Sequence, residues 1–305
     1  MTKRSFLAAL LAAVTLVLCL SGSIAFAEAD AEVDYIQDIA FMGDDNKDHF
    51  LDVFGFEEGG EAKPLILEVH GGGFFGGSKE TNTDHSRFYE NHGFAVVTPN
   101  YTHLPAGNFT NIMQEIFSVM HWIEENAQEY NFDLNNAFIS GDSAGGFIVQ
   151  LTIAVMNSEE LRAYYGVENP GFQFKSVVLT CPVFDIMVNR DYIGKGLGFS
   201  SFAAEQIADV ILDDEHMAYV DLLTNYPEDG FPPVYIVTTP SDDVLYEDAV
   251  MLDAFLTEKN IAHELHSYEG TENQLAHVFN INKPDYVESI QANEDIVAYL
   301  ETLIG

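Results

Sequence analysis

The stretch Ala137-Phe138-Ile139-Ser140-Gly141-Asp142-Ser143-Ala144-Gly145-Gly146 decides the fold. Its apolar start reads as a buried strand, and the apolar run Phe147–Met156 that follows reads as a helix. One serine stands between them among three glycines. A chain that passes directly from strand to helix must bend sharply, and glycine tolerates both the bend and the close approach of neighbouring backbone. A G-x-S-x-G pattern at such a junction is a nucleophile elbow. It lifts Ser143 above the C-terminal edge of a sheet, at a helix N-terminus whose partial positive charge favours a developing anion. A serine on a plain loop is the competing reading, and it leaves the surrounding strand and helix unexplained.

A second glycine cluster follows the apolar run Leu65–Val69: His70-Gly71-Gly72-Gly73-Phe74-Phe75-Gly76-Gly77-Ser78. Acyl transfer turns a planar carbonyl into a tetrahedral oxyanion, and backbone N–H groups must already point at it. The reading assigns the N–H groups of Gly72 and Gly73 to this task, with that of Ala144 as the third. A phosphate-binding loop is disfavoured, because the Lys-Ser/Thr ending and the G-x-G-x-x-G spacing are both missing. His70 reads as a residue that orders the loop, not as a base.

The remaining pattern supports an α/β fold with a mostly parallel sheet. Tyr35–Phe41 and His49–Phe56 flank a polar turn and read as a hairpin. Leu65–Val69, Phe94–Thr98, Ala137–Ser140, Ser176–Cys181 and Val234–Thr238 are near-continuous apolar runs, as strands covered on both faces are. Ala262–Tyr268 reads as a last strand. Ile112–Tyr130, Ala249–Glu258 and Asp285–Leu303 carry helical spacing. Strands alternating with helices predict helices on both faces of the sheet. Residues 186–229 fit least well and are read as a helical insertion, a lid over one edge.

The N-terminus carries Lys3 and Arg4, an apolar run Phe6–Leu20 and the small-residue pattern Ala25-Phe26-Ala27. This is the form of a secretory signal peptide over residues 1–27, with a single mature domain over 28–305 and a secreted or extracytoplasmic destination. Cleavage leaves a single cysteine, Cys181, inside a predicted strand, so no internal disulfide is expected and a buried thiol is. The full chain of 305 residues has 49 acidic and 12 basic side chains, a formal charge of −37. Such a surface repels nucleic acid and anionic membranes, so neither is expected as a partner.

The two glycine motifs together resemble the hormone-sensitive-lipase-like branch of the α/β-hydrolases, particularly its bacterial carboxylesterases. Pro99-Asn100-Tyr101 with Leu104-Pro105, and the stretch His121–Ala127, are similar to the family's segments between the motifs. Thr102 stands where the family has arginine, so a local salt bridge is expected to be missing. The resemblance implies a triad in the order Ser, Asp, His. Pro240-Ser241-Asp242-Asp243-Val244-Leu245 matches the acid turn, and the family's aspartate two residues before a leucine selects Asp243, with Asp242 as the adjacent alternative. Gln274-Leu275-Ala276-His277-Val278-Phe279 resembles the histidine loop and makes His277 the base. The implied activity is hydrolysis of small carboxylic esters of short acyl chain through an acyl-enzyme on Ser143, with no metal and no organic cofactor.

Two other readings share these residues: a peptidase or amidase on the same triad, and a non-catalytic binding protein of the same fold. The other histidines, His49, His85, His92, His103, His121, His216, His263 and His266, read as surface or loop residues. His263 and His266 lack the accompanying ligands of a zinc site. Phe74, Phe75, Tyr192, Phe199 and Phe202 are candidates for an acyl pocket and equally for the core.

Overall fold

The computed structural model describes residues 35–186, 214–227 and 229–305. The signal-peptide segment lies outside them, as do most of the expected insertion and its aromatics Tyr192, Phe199 and Phe202. Eight strands form one sheet: β1 (Ile36–Ala40), β2 (Phe50–Phe54), β3 (Lys63–Val69), β4 (Ala95–Pro99), β5 (Phe132–Asp142), β6 (Val177–Thr180), β7 (Val234–Thr238) and β8 (His263–Ser267). Their spatial order is β1-β2-β4-β3-β5-β6-β7-β8. β2 is antiparallel to both β1 and β4, and every pairing from β4 through β3 to β8 is parallel. The α/β-hydrolase architecture expected from the two motifs is the one observed.

Parallel neighbours need crossovers, and the helices supply them. The described helices are α1 (Thr83–Asn91), α2 (Phe109–Asn126), α3 (Ser143–Asn157), α4 (Glu159–Tyr165), α5 (Asp214–Val220), α6 (Leu222–Asn225), α7 (Tyr246–Lys259), α8 (Phe279–Asn282) and α9 (Val287–Glu301). Successive strand residues face opposite sides, and both sides are covered. Leu65, Leu67 and Val69 of β3 join a core with α2, α3 and α7, while Ile66 joins a second core with Tyr89 of α1 and Ile296 of α9. Burial on both faces is why these strands read as unbroken apolar runs.

Three differences from the expected elements have local causes. α3 begins at Ser143 itself, because the bend is concentrated in that residue and the glycines after it are already helical. β5 runs back to Phe132, beyond its apolar run. α1 has no apolar stripe; the residues that it buries are His85, Ser86 and Tyr89, so the signal of a core-facing helix is missing from its sequence. No described helix is long and apolar enough to cross a membrane.

Candidate active site

Ser143, His277 and Asp242 lie on three turns at one end of the sheet, after β5, β8 and β7 respectively. The His277 Nε2 is 3.0 Å from the Ser143 hydroxyl, and its Nδ1 is 2.8 Å from Asp242 Oδ2. Ser143 has φ +51°, a left-handed conformation that costs a side-chain-bearing residue about 1–2 kcal/mol. The surrounding packing holds it there. A Cβ on Gly141 would sit 2.6 Å from the Gly145 carbonyl oxygen, and one on Gly146 would sit 2.9 Å from Pro182. A Cβ on Gly145 would run into the Val69 and His70 carbonyl oxygens. The first turn of α3 is thus pressed against the end of β3, where the second glycine motif begins.

The triad acid is a correction to the expectation of Asp243. Asp243 is exposed, whereas Asp242 is 2% exposed and holds the imidazole. The turn decides this. Asp242 Oδ1 accepts the N–H groups of Val244 and Leu245 at 2.9 and 3.0 Å, which starts α7 and aims Oδ2 at His277. Burial acts to raise the Asp242 pKa. The hydrogen bond and charge of His277 and the two backbone N–H groups outweigh it, and the carboxyl is held below its ordinary range.

The histidine loop is anchored on both sides. The Glu288 carboxylate accepts the N–H groups of Thr271, Glu272 and Asn273 at 2.7, 2.8 and 3.3 Å. The Val278 N–H reaches Cys181 Sγ at 3.4 Å, and Val278, Ile281 and Cys181 pack together. Cys181 is buried, as expected of it, and burial pushes its thiol pKa well above the ordinary value. Cys181, Asp242 and His277 bring potential metal ligands within 4.8 Å of one another. The imidazole Nδ1 and the carboxylate already bond to each other, so the trio reads as the inner half of the relay.

The loop after β3 carries its glycines for a different reason. Gly72 and Gly73 have φ +121° and +63°, which aim successive N–H groups away from the strand direction. The Gly72 carbonyl accepts from Phe75 and Gly76, both at 3.1 Å, and so closes the turn. Ala144, the third expected donor, follows Ser143 in the first turn of α3, where N–H groups have no helical partner. The structure therefore brings Gly72, Gly73 and Ala144 to the end of the sheet that carries Ser143. His70 is an ordering residue: its Nδ1 meets the Gly71 carbonyl at 2.7 Å, and its ring stacks on Tyr101 at 4.4 Å. Burial holds the His70 imidazole down to about 4, so it is neutral.

Several residues of this site were missed or misread in the sequence. Asp142 is buried, and its Oδ1 accepts the Gly71 N–H and the Asn82 amide, each at 2.9 Å. It ties the elbow to the glycine loop. His85, read as a surface or loop residue, is 2% exposed and pairs with the buried Glu68 at 2.5 Å. Phe74 belongs to the core, edge-on to Phe109 and Phe147 at 5.3 and 5.7 Å. Thr102, in place of arginine, donates its N–H and hydroxyl to Glu115 at 2.7 and 2.6 Å.

Known proteins are similar to this chain in sequence and in fold. The family model BD-FAE matches residues 51–256. A protein of Acanthamoeba polyphaga mimivirus named for the α/β-hydrolase fold is 30% identical over 130 residues, 41% of this chain and 34% of that one. An esterase of Gibberella moniliformis is 26% identical over 196 residues, 60% of this chain and 58% of that one. The chain thus spans about a third to three fifths of the length of these relatives. Among solved structures, esterase B from Lactobacillus rhamnosis superposes with a TM-score of 0.81 at 22% identity, covering 98% of this chain and 95% of that one. The same enzyme is known inhibited by a tributyrin phosphonate. The motifs, the sheet and the family match agree: the chain belongs to the BD-FAE family, within the hormone-sensitive-lipase-like α/β-hydrolases.

Proposed function

We propose that this protein is a secreted serine carboxylesterase that hydrolyses small esters of short acyl chain through an acyl-enzyme on Ser143. The observation that carries the reading is the continuous relay of Ser143, His277 and Asp242, with contacts of 3.0 and 2.8 Å. His277 Nε2 accepts the Ser143 proton as the hydroxyl oxygen bonds to the ester carbon. The C=O electrons move onto oxygen, and the N–H groups of Gly72, Gly73 and Ala144 receive that oxyanion. Collapse breaks the bond to the alkoxide, which leaves with the proton from His277. Water, deprotonated by the same imidazole, then releases the acid and restores Ser143. Asp242 holds the proton-bearing Nδ1 and stabilises the imidazolium throughout. Export is supported by the charged, apolar and small-residue order of the first 27 residues. Ester rather than amide specificity is supported by the names that the relatives carry.

The test uses a fluorophosphonate and a panel of p-nitrophenyl esters from acetate to palmitate, with anilides beside them. One label per chain is expected, lost in Ser143→Ala, with the highest kcat/KM on the shortest esters. Asp242→Asn is expected to lower kcat by about 10⁴-fold, since it fixes the wrong tautomer. Asp243→Asn should stay within about twofold. Full activity in Ser143→Ala or Asp242→Asn would overturn the reading, and faster anilide than ester cleavage would favour an amidase.

A further inference from the structure

Two carboxylates, Glu68 and Asp142, are buried beside the glycine loop, with 1% and 5% exposure. They leave neighbouring strands β3 and β5 and meet at a single side chain, Asn82. Its amide nitrogen lies 2.9 Å from Asp142 Oδ1 and 3.4 Å from Glu68 Oε1. Asn82 precedes α1 in the N-cap position but does not cap it. Its side chain turns instead between the two acids. Glu68 is held further by His85 Nδ1 at 2.5 Å and by the Ser86 hydroxyl at 2.6 Å, both from the first turn of α1. The cation on the same stretch, Lys79, is committed to Asp38, Asp52 and Glu80.

We propose that Asn82 is a positioning residue for the oxyanion loop: it clamps Asp142 against Glu68, and Asp142 in turn sets the Gly71 N–H and hence the aim of Gly72 and Gly73. This role of Asn82 rests on the proposed hydrolase function. Two carboxyl groups meet here in a low-dielectric interior, where burial raises the Asp142 pKa, and an amide NH₂ is a neutral donor able to serve both. Asp142 Oδ1 shares its lone pairs between Asn82 and Gly71, so a shift of the carboxylate is passed directly to the loop. The space allows no slack, because a Cβ on Gly71 would run into the Asp142 carboxylate. Asn82 touches no reacting atom. Its contribution lies in donor geometry, where small displacements carry large rate effects.

Two variants test this. Asn82→Ala removes the donor; it should lower kcat on p-nitrophenyl acetate by about tenfold, leave KM within about twofold and slow fluorophosphonate labelling in parallel. Asn82→Asp is isosteric. Its carboxyl would face Asp142 and Glu68, with His85 and Ser86 bonded to Glu68 and Tyr89 against His85, and while protonated it can still donate to Asp142. Its activity relative to wild type should therefore be near one in acid and fall towards that of Asn82→Ala as pH rises. Wild-type kcat and labelling rate in Asn82→Ala would overturn the proposal. So would an Asn82→Asp activity that is a constant fraction of wild type at every pH, and this arm decides if the alanine variant does not fold. Absence of label in the wild-type protein is a separate result: the hydrolase reading fails there, and the role of Asn82 falls with it.

Discussion

Glycine does different work in the two glycine-rich turns at the ends of β5 and β3. In the elbow, Gly141, Gly145 and Gly146 have unexceptional φ, and the serine among them carries the left-handed angle. Those glycines supply room, since a Cβ on any of the three would meet fixed neighbours. In the loop after β3, two successive glycines carry positive angles themselves, at φ +121° for Gly72 and +63° for Gly73, followed by Phe74 at +69°. A Cβ on Gly73 would meet nothing within 4 Å. Glycine is therefore needed for space throughout the elbow, for conformation alone at Gly73, and for both at Gly72, where a Cβ would run into the Gly76 carbonyl oxygen. One turn holds a strained nucleophile still by contact. The other shapes bare backbone into donors.

That contrast can be broken in order of size. Gly145→Ala should be the most damaging change, because its methyl meets the Val69 and His70 backbone oxygens, which cannot rotate away. A loss of more than about 4 kcal/mol, or no soluble protein, is expected in urea unfolding.

Next comes the imidazole that only the glycine loop carries. The folded His70 pKa is about 4, below the ordinary 6.5, so the unfolded chain binds the extra proton throughout that window. Stability is thus full above about 6.5 and is lost as pH falls towards 4, by about 3 kcal/mol at the lower limit. His70→Asn keeps a donor for the Gly71 carbonyl and should flatten that slope in unfolding curves taken between these limits.

Gly73→Ala has space but the wrong φ. It should cost only about 1–2 kcal/mol while lowering ester hydrolysis by about 10²-fold, through a misaimed N–H. The smallest effect is a gain. Ser143→Gly relieves the left-handed angle and should raise stability by about 1 kcal/mol relative to wild type, with hydrolysis abolished. Equal stabilities of Ser143→Gly and wild type would show that the elbow stores no strain.

Much of this was legible because strong local chemistry and tertiary role coincide. Apolar runs marked five of the eight strands, since a strand covered on both faces leaves no polar alternation to obscure it. The motifs of Ser143 and of Gly72 and Gly73 announced their positions because sharp turns restrict residue type. α1 was not legible, since it buries His85, Ser86 and Tyr89 against the sheet and so carries no apolar stripe. His85 looked like a surface histidine because its partner Glu68 lies 17 positions away on another element.

What the sequence by itself determined is the layered fold, the nucleophile, the base and the glycine loop, each set by patterns within about ten residues. Only the tertiary structure decided which of two adjacent aspartates serves the base. Spacing cannot distinguish Asp242 from Asp243, and the answer came from the two N–H groups that turn one carboxylate inward. The same holds for the network of Glu68, Asn82 and Asp142. Its members mean nothing apart, because hydrogen bonds between buried polar groups depend on strands and a helix being brought together by the packing around them.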